Sequence, residues 1–111
     1  MSVTITFEEF AKVDLRVGTI IEVNDFPEAK NPAYQLTIDF GTLGIKKSSA
    51  QITTLYKKED LIERQIIAII NFHKKQIAKF MSECLVLGAV NGKDVFLLNP
   101  EIKVANGSIV S

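Results

Sequence analysis

The sequence predicts a small all-β domain carrying one short helix, and three observations carry that reading. Apolar and polar residues alternate with a period of two from Val13 to Val17 and again from Tyr34 to Phe40, the mark of half-buried strands. These runs are separated at short intervals by Asn, Asp, Gly and Pro clusters, which mark turns. One segment, Tyr56–Arg64 (YKKEDLIER), breaks the pattern with helix-forming residues.

The elements follow in chain order. Val3–Phe7 alternates and is read as an edge strand, packed on its own barrel or on a partner. Val13–Val23 is a long strand, with Gly18 where it bends as barrel strands do. Asn24–Pro32 is a loop. Tyr34–Phe40 is a second strand, Gly41–Gly44 a hairpin turn, and Ile45–Ile52 a third strand. Tyr56–Arg64 is the short helix, with Thr53 or Thr54 as its cap. Gln65–Asn71 and Cys84–Val90 are a fourth and fifth strand, and Gln76–Met81 between them is read as one helical turn. Asn91-Gly92 signals a hairpin into a short sixth strand, Asp94–Leu98. Three strands, a helix and two more strands is the order of an OB-fold, a five-stranded Greek-key barrel that binds nucleic acids and sugars. Strand count does not give strand order, so a small β-sandwich or another barrel stays open.

The 111 residues fit a single domain spanning 1–111. The longest apolar run is about five residues, against the ~20 that a membrane-spanning helix needs, so no membrane insertion is expected. The N-terminus carries Glu8 and Glu9 and no basic or long apolar stretch, unlike a signal peptide. With one cysteine and no internal disulfide, the cytoplasm is the default compartment. Net charge is zero, from 13 basic and 13 acidic residues, but it is unevenly spread. Lys46 to Lys79 holds eight basic and three acidic residues, a net +5, and the rest of the chain carries −5. Such a split puts a positive face on a neutral protein, or else scatters lysines over unrelated faces.

Little supports catalysis. His73 is the one histidine, in a basic turn, and reads as a surface residue rather than the base of a triad. The six glycines are scattered and form no phosphate loop. Cys84 with His73 falls short of a zinc site and reads as a small core residue, so no metal or cofactor is expected. Asp14 reads as an outward partner for Arg16. A binding module fits better. Asn71–Ser82 combines Lys74, Lys75 and Lys79, able to neutralise phosphates, with Phe72, His73 and Phe80, able to stack on bases. Phe72, which ends a core strand, is read as part of the frame. The Asn24–Ala33 loop adds Phe26, Lys30 and Asn31, and these two loops flank an OB-fold's binding face.

The residues also carry a resemblance. VDLRVGTI (Val13–Ile20) looks like the opening of the tRNA-binding domain shared by the C-terminal part of methionyl-tRNA synthetases, endothelial monocyte-activating polypeptide and stand-alone bacterial tRNA-binding proteins. More closely, the chain resembles the CsaA family of small export-related chaperones, through Val13–Thr53, Leu55–Phe72, Lys74–Ala89 and the closing NGSIVS of Asn106–Ser111. The resemblance implies an OB-fold core with short N- and C-terminal extensions, assembled as a homodimer and without enzymatic activity. It implies a chaperone for export-related preproteins or peptides, built on a tRNA-binding fold, with a general tRNA-binding module as the alternative. The nucleic-acid-binding residues would be Lys30, Lys46, Lys47, Lys74, Lys75, Lys79, Ser82 and Glu83. Ser82-Glu83 would occupy the place of a polar pair that faces nucleic acid, with Glu83 accepting from bases or orienting Lys79. Peptide side chains would be taken by Phe26, Pro27, Tyr34, Phe80 and Met81. His73-Lys74 stands where many relatives carry Pro-Pro or Lys-Pro, which makes the loop less rigid.

Overall fold

The computed structural model describes residues 3–111. Five strands form the barrel sheet: β1 (Leu15–Asp25), β2 (Tyr34–Asp39), β3 (Ile45–Ala50), β4 (Gln65–Ile69) and β7 (Leu85–Val86). Their spatial order is β3-β2-β1-β4-β7, all antiparallel. This is the predicted OB-fold barrel, and it settles the strand order that the sequence left open. β1 is the hub. Its first half pairs with β4, from Leu15↔Ile69 to Thr19↔Gln65, and its second half with β2, from Thr19↔Asp39 to Asp25↔Tyr34.

The strand that changes partners must bend. The bend is a bulge between Ile20 and Glu22, the usual device for curving a strand into a barrel. There the Ile20 N–H donates to the Arg64 carbonyl at 2.9 Å, and the Glu63 N–H to the Ile20 carbonyl at 2.8 Å. Gly18, predicted as the bend, has another task. A Cβ there would lie 2.6 Å from Ile38 Cγ2 and 2.7 Å from the Phe40 ring, so the glycine admits the core of β2.

The core follows the alternation read from the sequence. Tyr34, Leu36 and Ile38 of β2 point inward, alternating with Gln35, Thr37 and Asp39. They pack with Ile20, Phe40, Ile52, Ile66, Ala68 and Cys84. The helix α2 is shorter than predicted, Lys58–Leu61, and drives the fully buried Leu61 into this cluster. Neither Thr53 nor Thr54 caps it; the Asp60 carboxylate accepts from the Lys57 N–H at 3.0 Å.

Three further predictions are corrected. Val3–Phe7 forms no strand; a helix α1 spans Phe7–Ala11. Thr6 Oγ1 accepts from the Glu9 N–H, and the Glu9 carboxylate accepts from the Thr6 N–H, a capping box that outweighs a five-residue alternation. Gln76–Met81 is not helical. It is a hairpin of β5 (Lys75–Ile77) and β6 (Phe80–Ser82), turned by Ala78-Lys79 with Ala78 at φ 53°. The fifth predicted strand splits after β7. Gly88–Asn91 becomes β8 and pairs with β9 (Asp94–Leu97) in a hairpin that stands off the barrel sheet. At the C-terminus, β10 (Ile109–Val110) pairs with the start of β1.

Asp14 and Arg16 form the predicted pair, Nε to Oδ1 at 2.6 Å, and Arg16 also donates to the Gly107 carbonyl. Asn106 accepts from Thr19 Oγ1 at 2.6 Å and from Gln65 Nε2 at 3.2 Å. The NGSIVS tail is thereby bound to β1 and β4.

Candidate nucleic-acid and peptide interface

The β5–β6 hairpin is the connector between the fourth and fifth barrel strands, and its position is set by the seam where the barrel closes. β3 is hydrogen-bonded to β2 along one edge. Along its other edge, the N–H groups of Lys47 and Ser49 have no strand ladder to join. Glu83 Oε1 accepts from Lys47 N at 3.0 Å, and Ser82 Oγ accepts from Ser49 N at 3.1 Å. The Glu83 N–H returns a bond to the Lys47 carbonyl at 2.7 Å. Two side chains thus stand in for a strand, and they satisfy backbone donors that would otherwise be costly to leave unpaired. Cys84 follows, its thiol donating to the same Lys47 carbonyl at 3.7 Å. Burial, with the neighbouring Glu83 charge, pushes that thiol up to about 12 from 9.0. It is a neutral core group at ordinary pH, as predicted.

The hairpin stands between two clefts. One, of about 520 Å³, is lined by Phe72, His73, Lys74 and Lys75 on the hairpin side and by Ser49 and Gln51 on the β3 side, with Ile77, Ser82, Cys84 and Leu85 beneath. It contains no carboxylate. Lys47 and Ser49 alternate outward along β3, with the exposed Gln51 just past its end, while Ser48 and Ala50 point into the core. Lys47 therefore shares the face that forms the cleft wall. Phe72 is 54% exposed, so its reading as frame is corrected. Asn71, one residue earlier, supplies the anchor instead: its side chain accepts from Asp14 N at 2.9 Å and donates to the Lys12 carbonyl at 2.6 Å. With Asn71 held, the chain beyond it turns outward and presents Phe72, His73, Lys74 and Lys75 together.

The other cleft, of about 400 Å³, lies between the hairpin and the β1–β2 loop. Phe26, Glu28, Gln35, Ala78, Lys79 and Phe80 line it. The Phe26 and Phe80 rings meet at 5.3 Å, tilted by 57°, a favourable aromatic geometry. Phe26 is only 4% exposed, and it fastens the loop to the hairpin through Phe80. The loop is also held by Lys58 Nζ on Asp25 Oδ2 at 2.9 Å, which raises the Lys58 pKa through that hydrogen bond and charge.

The predicted site residues are therefore not one cluster. Lys74 and Lys75 line the cleft without carboxylates, Lys47 lines neither cleft and has the Glu83 carboxylate on its backbone N–H, and Lys79 lies across the hairpin with Phe26 and Phe80. Lys46 sits on the inward face of β3, and Lys30 lines neither cleft. Ser82 is buried and Glu83 half-buried, both with oxygens committed to the seam rather than facing outward. Tyr34 is buried, its hydroxyl donating to the Tyr56 carbonyl at 2.8 Å. Met81 is exposed and points away from Phe80, and Pro27 is exposed outside both clefts. Ser49 and Gln51 were missed; the outward alternation of IKKSSAQI was the signal that carried them.

Residues 15–109 match the family described as "Putative tRNA binding domain". The chain is 36% identical over 106 residues to the methionine–tRNA ligase of Pyrococcus furiosus, covering 96% of this chain and 14% of that protein. It thus spans a small part of the ligase. Two solved structures cover nearly all of it. Chaperone CsaA from Bacillus anthracis str. Ames is 50% identical with a TM-score of 0.93, covering 98% of this chain and 100% of that one. The CsaA chaperone protein from Picrophilus torridus is 52% identical with a TM-score of 0.91, covering 97% and 100%. The chain belongs to the tRNA-binding domain family.

The seam yields a stability prediction. Ser82→Ala leaves the Ser49 N–H without its acceptor and is expected to cost about 1–3 kcal/mol. Glu83→Ala should do the same to Lys47, whereas Glu83→Gln, which keeps an acceptor oxygen, should be nearly neutral. Denaturant unfolding of the three variants checks this, and equal losses for Ala and Gln at position 83 would contradict it.

Proposed function

We propose, with membership of the tRNA-binding domain family as the premise, that this protein is a non-catalytic binding protein for tRNA. The supporting observation is the cleft in which Phe72, His73, Lys74 and Lys75 face Ser49 and Gln51 with no carboxylate among the lining residues. Lysine ammonium groups there neutralise backbone phosphates and release counterions. Phe72 and His73 offer flat surfaces on which an unpaired base stacks, at about 1–3 kcal/mol per base. Lys47 extends the positive face along β3. Ser82 and Glu83 act as positioning residues, their oxygens engaged by the backbone of β3.

A second reading rests on the other cleft. Phe26, Phe80 and Ala78 give it an apolar lining, and Glu28 with Lys79 supplies both charges. That mixture suits side chains of an extended, unfolded chain better than a polyphosphate. Two neighbours at 50% and 52% identity are described as CsaA chaperones, which favours the same reading, with export-related preproteins as clients. The protein would act in the cytoplasm as a homodimer. Phe7 is 81% and Ile109 68% exposed, and both border one groove between α1 and the C-terminal segment. An exposed apolar pair of this kind is expected at a contact with a second copy.

Three outcomes test these statements. Titration of labelled tRNA at several salt concentrations should give a steep log–log slope, reduced by about one to two units when Lys74 and Lys75 are both replaced with Ala. A flat slope for the unmodified protein would sink the tRNA reading. Aggregation of an unfolded client should be suppressed by the protein and less so by Phe80→Ala; no suppression at stoichiometric protein rules out the chaperone reading. Sedimentation should give a dimer that Phe7→Glu dissociates, and a monomer at micromolar concentration would exclude the assembly.

A further inference from the structure

Gln51 lines two clefts at once. On one side is the basic cleft described above. On the other is a larger one, about 640 Å³, between the end of the β1–β2 loop, the chain leaving β3 and the tip of the β8–β9 hairpin. The wall of this second cleft is polar at Asn31, Gln51, Thr53 and Thr54, and apolar at Val90 and Val95. Its one charged lining residue is Lys93, exposed at the hairpin tip beside Gly92, whose φ of 65° makes the turn. No carboxylate lines either cleft, although the chain as a whole carries as many acidic as basic residues.

Resting on the tRNA reading, we infer that one single-stranded stretch of RNA runs through both clefts. It passes over Gln51, and Lys93 holds a phosphate at its far end. The chemistry of the second cleft fits this continuation. A lone ammonium at a hairpin tip is a point contact for phosphate, separated from Lys74 and Lys75 by the outward face of β3. Between them, the hydroxyls of Thr53 and Thr54 and the carboxamides of Asn31 and Gln51 both donate and accept hydrogen bonds. That is what recognition of ribose 2′-hydroxyls and unpaired base edges requires. Duplex RNA does not suit the path, since its bases are stacked and its readable surface is a wide, shallow groove. The β8–β9 hairpin, which lies outside the barrel sheet, then has a role as the far wall of the binding track.

Salt-dependent titration with tRNA separates this inference from the reading it rests on. Lys93→Ala should lower the log–log slope by about one unit, and Lys93→Arg should restore it. Lys103→Ala should leave it unchanged, because Lys103 lies in a different groove with Thr19 and Glu63. If Lys74→Ala/Lys75→Ala reduces the slope but Lys93→Ala does not, the track ends at the first cleft and the inference is overturned while the tRNA reading stands. If the unmodified protein shows no salt-dependent binding, both fall. Lys93 is exposed in a turn, so loss of folding would not mimic the effect; thermal melts of the variants should coincide.

Discussion

The surface beside the β5–β6 hairpin depends on how the barrel is closed. β3 lacks a strand along one edge, and an open edge of unpaired N–H and C=O groups is a hazard for any small sheet protein. Here the edge is occupied by the Ser82 hydroxyl, the Glu83 carboxylate and the Glu83 N–H. Because Ser82 ends β6 and Glu83 follows it, the same bonds that close the barrel also fix the β5–β6 hairpin against β3. The two clefts beside the hairpin inherit their shape from that seam.

Electrostatics then distinguishes the two sides of the hairpin. Lys74 and Lys75 stand without an opposing carboxylate among the residues lining their cleft, while Lys79 shares its cleft with Glu28. Phosphates gain from uncompensated ammonium groups, and the gain falls with salt. A cleft with one charge of each sign and two phenyl rings offers instead modest, largely salt-insensitive contact with apolar side chains. Zero net charge is compatible with a nucleic-acid partner, because Asp14 is held on Arg16 and Asp25 on Lys58, while Glu83, beside the basic cleft, is turned to the backbone of β3.

Much of this was legible in the sequence. The strict alternation of Tyr34–Phe40 gave β2 with its inward residues, and the order of strands and helix gave the barrel. The connector Asn71–Ser82 stood out in the sequence by its length and lysines. What was not legible depended on contacts distant in the chain. Ser82 and Glu83 read as ligand-facing because nothing local shows that β3, more than thirty residues earlier, lacks a neighbour. Phe72 read as frame because it ends an apolar run, whereas Asn71 takes the anchoring role through the Lys12 carbonyl and the Asp14 N–H, between α1 and β1. QIAKFM read as helical by residue preference, and the pairing of Lys75 with Ser82 overrode that preference. The N-terminal helix was misread although its Thr6–Glu9 capping box is visible in the sequence.

The central claim is that RNA occupies the carboxylate-free face beside the β5–β6 hairpin. The most direct measurement is amide chemical-shift mapping of the isotope-labelled protein with a short single-stranded oligoribonucleotide. The account predicts the largest changes at Ser49, Gln51, Phe72, Lys74 and Lys75, with little at Phe26 and Phe80. Changes concentrated at Phe26, Phe80 and Lys79, or on α1, would contradict it.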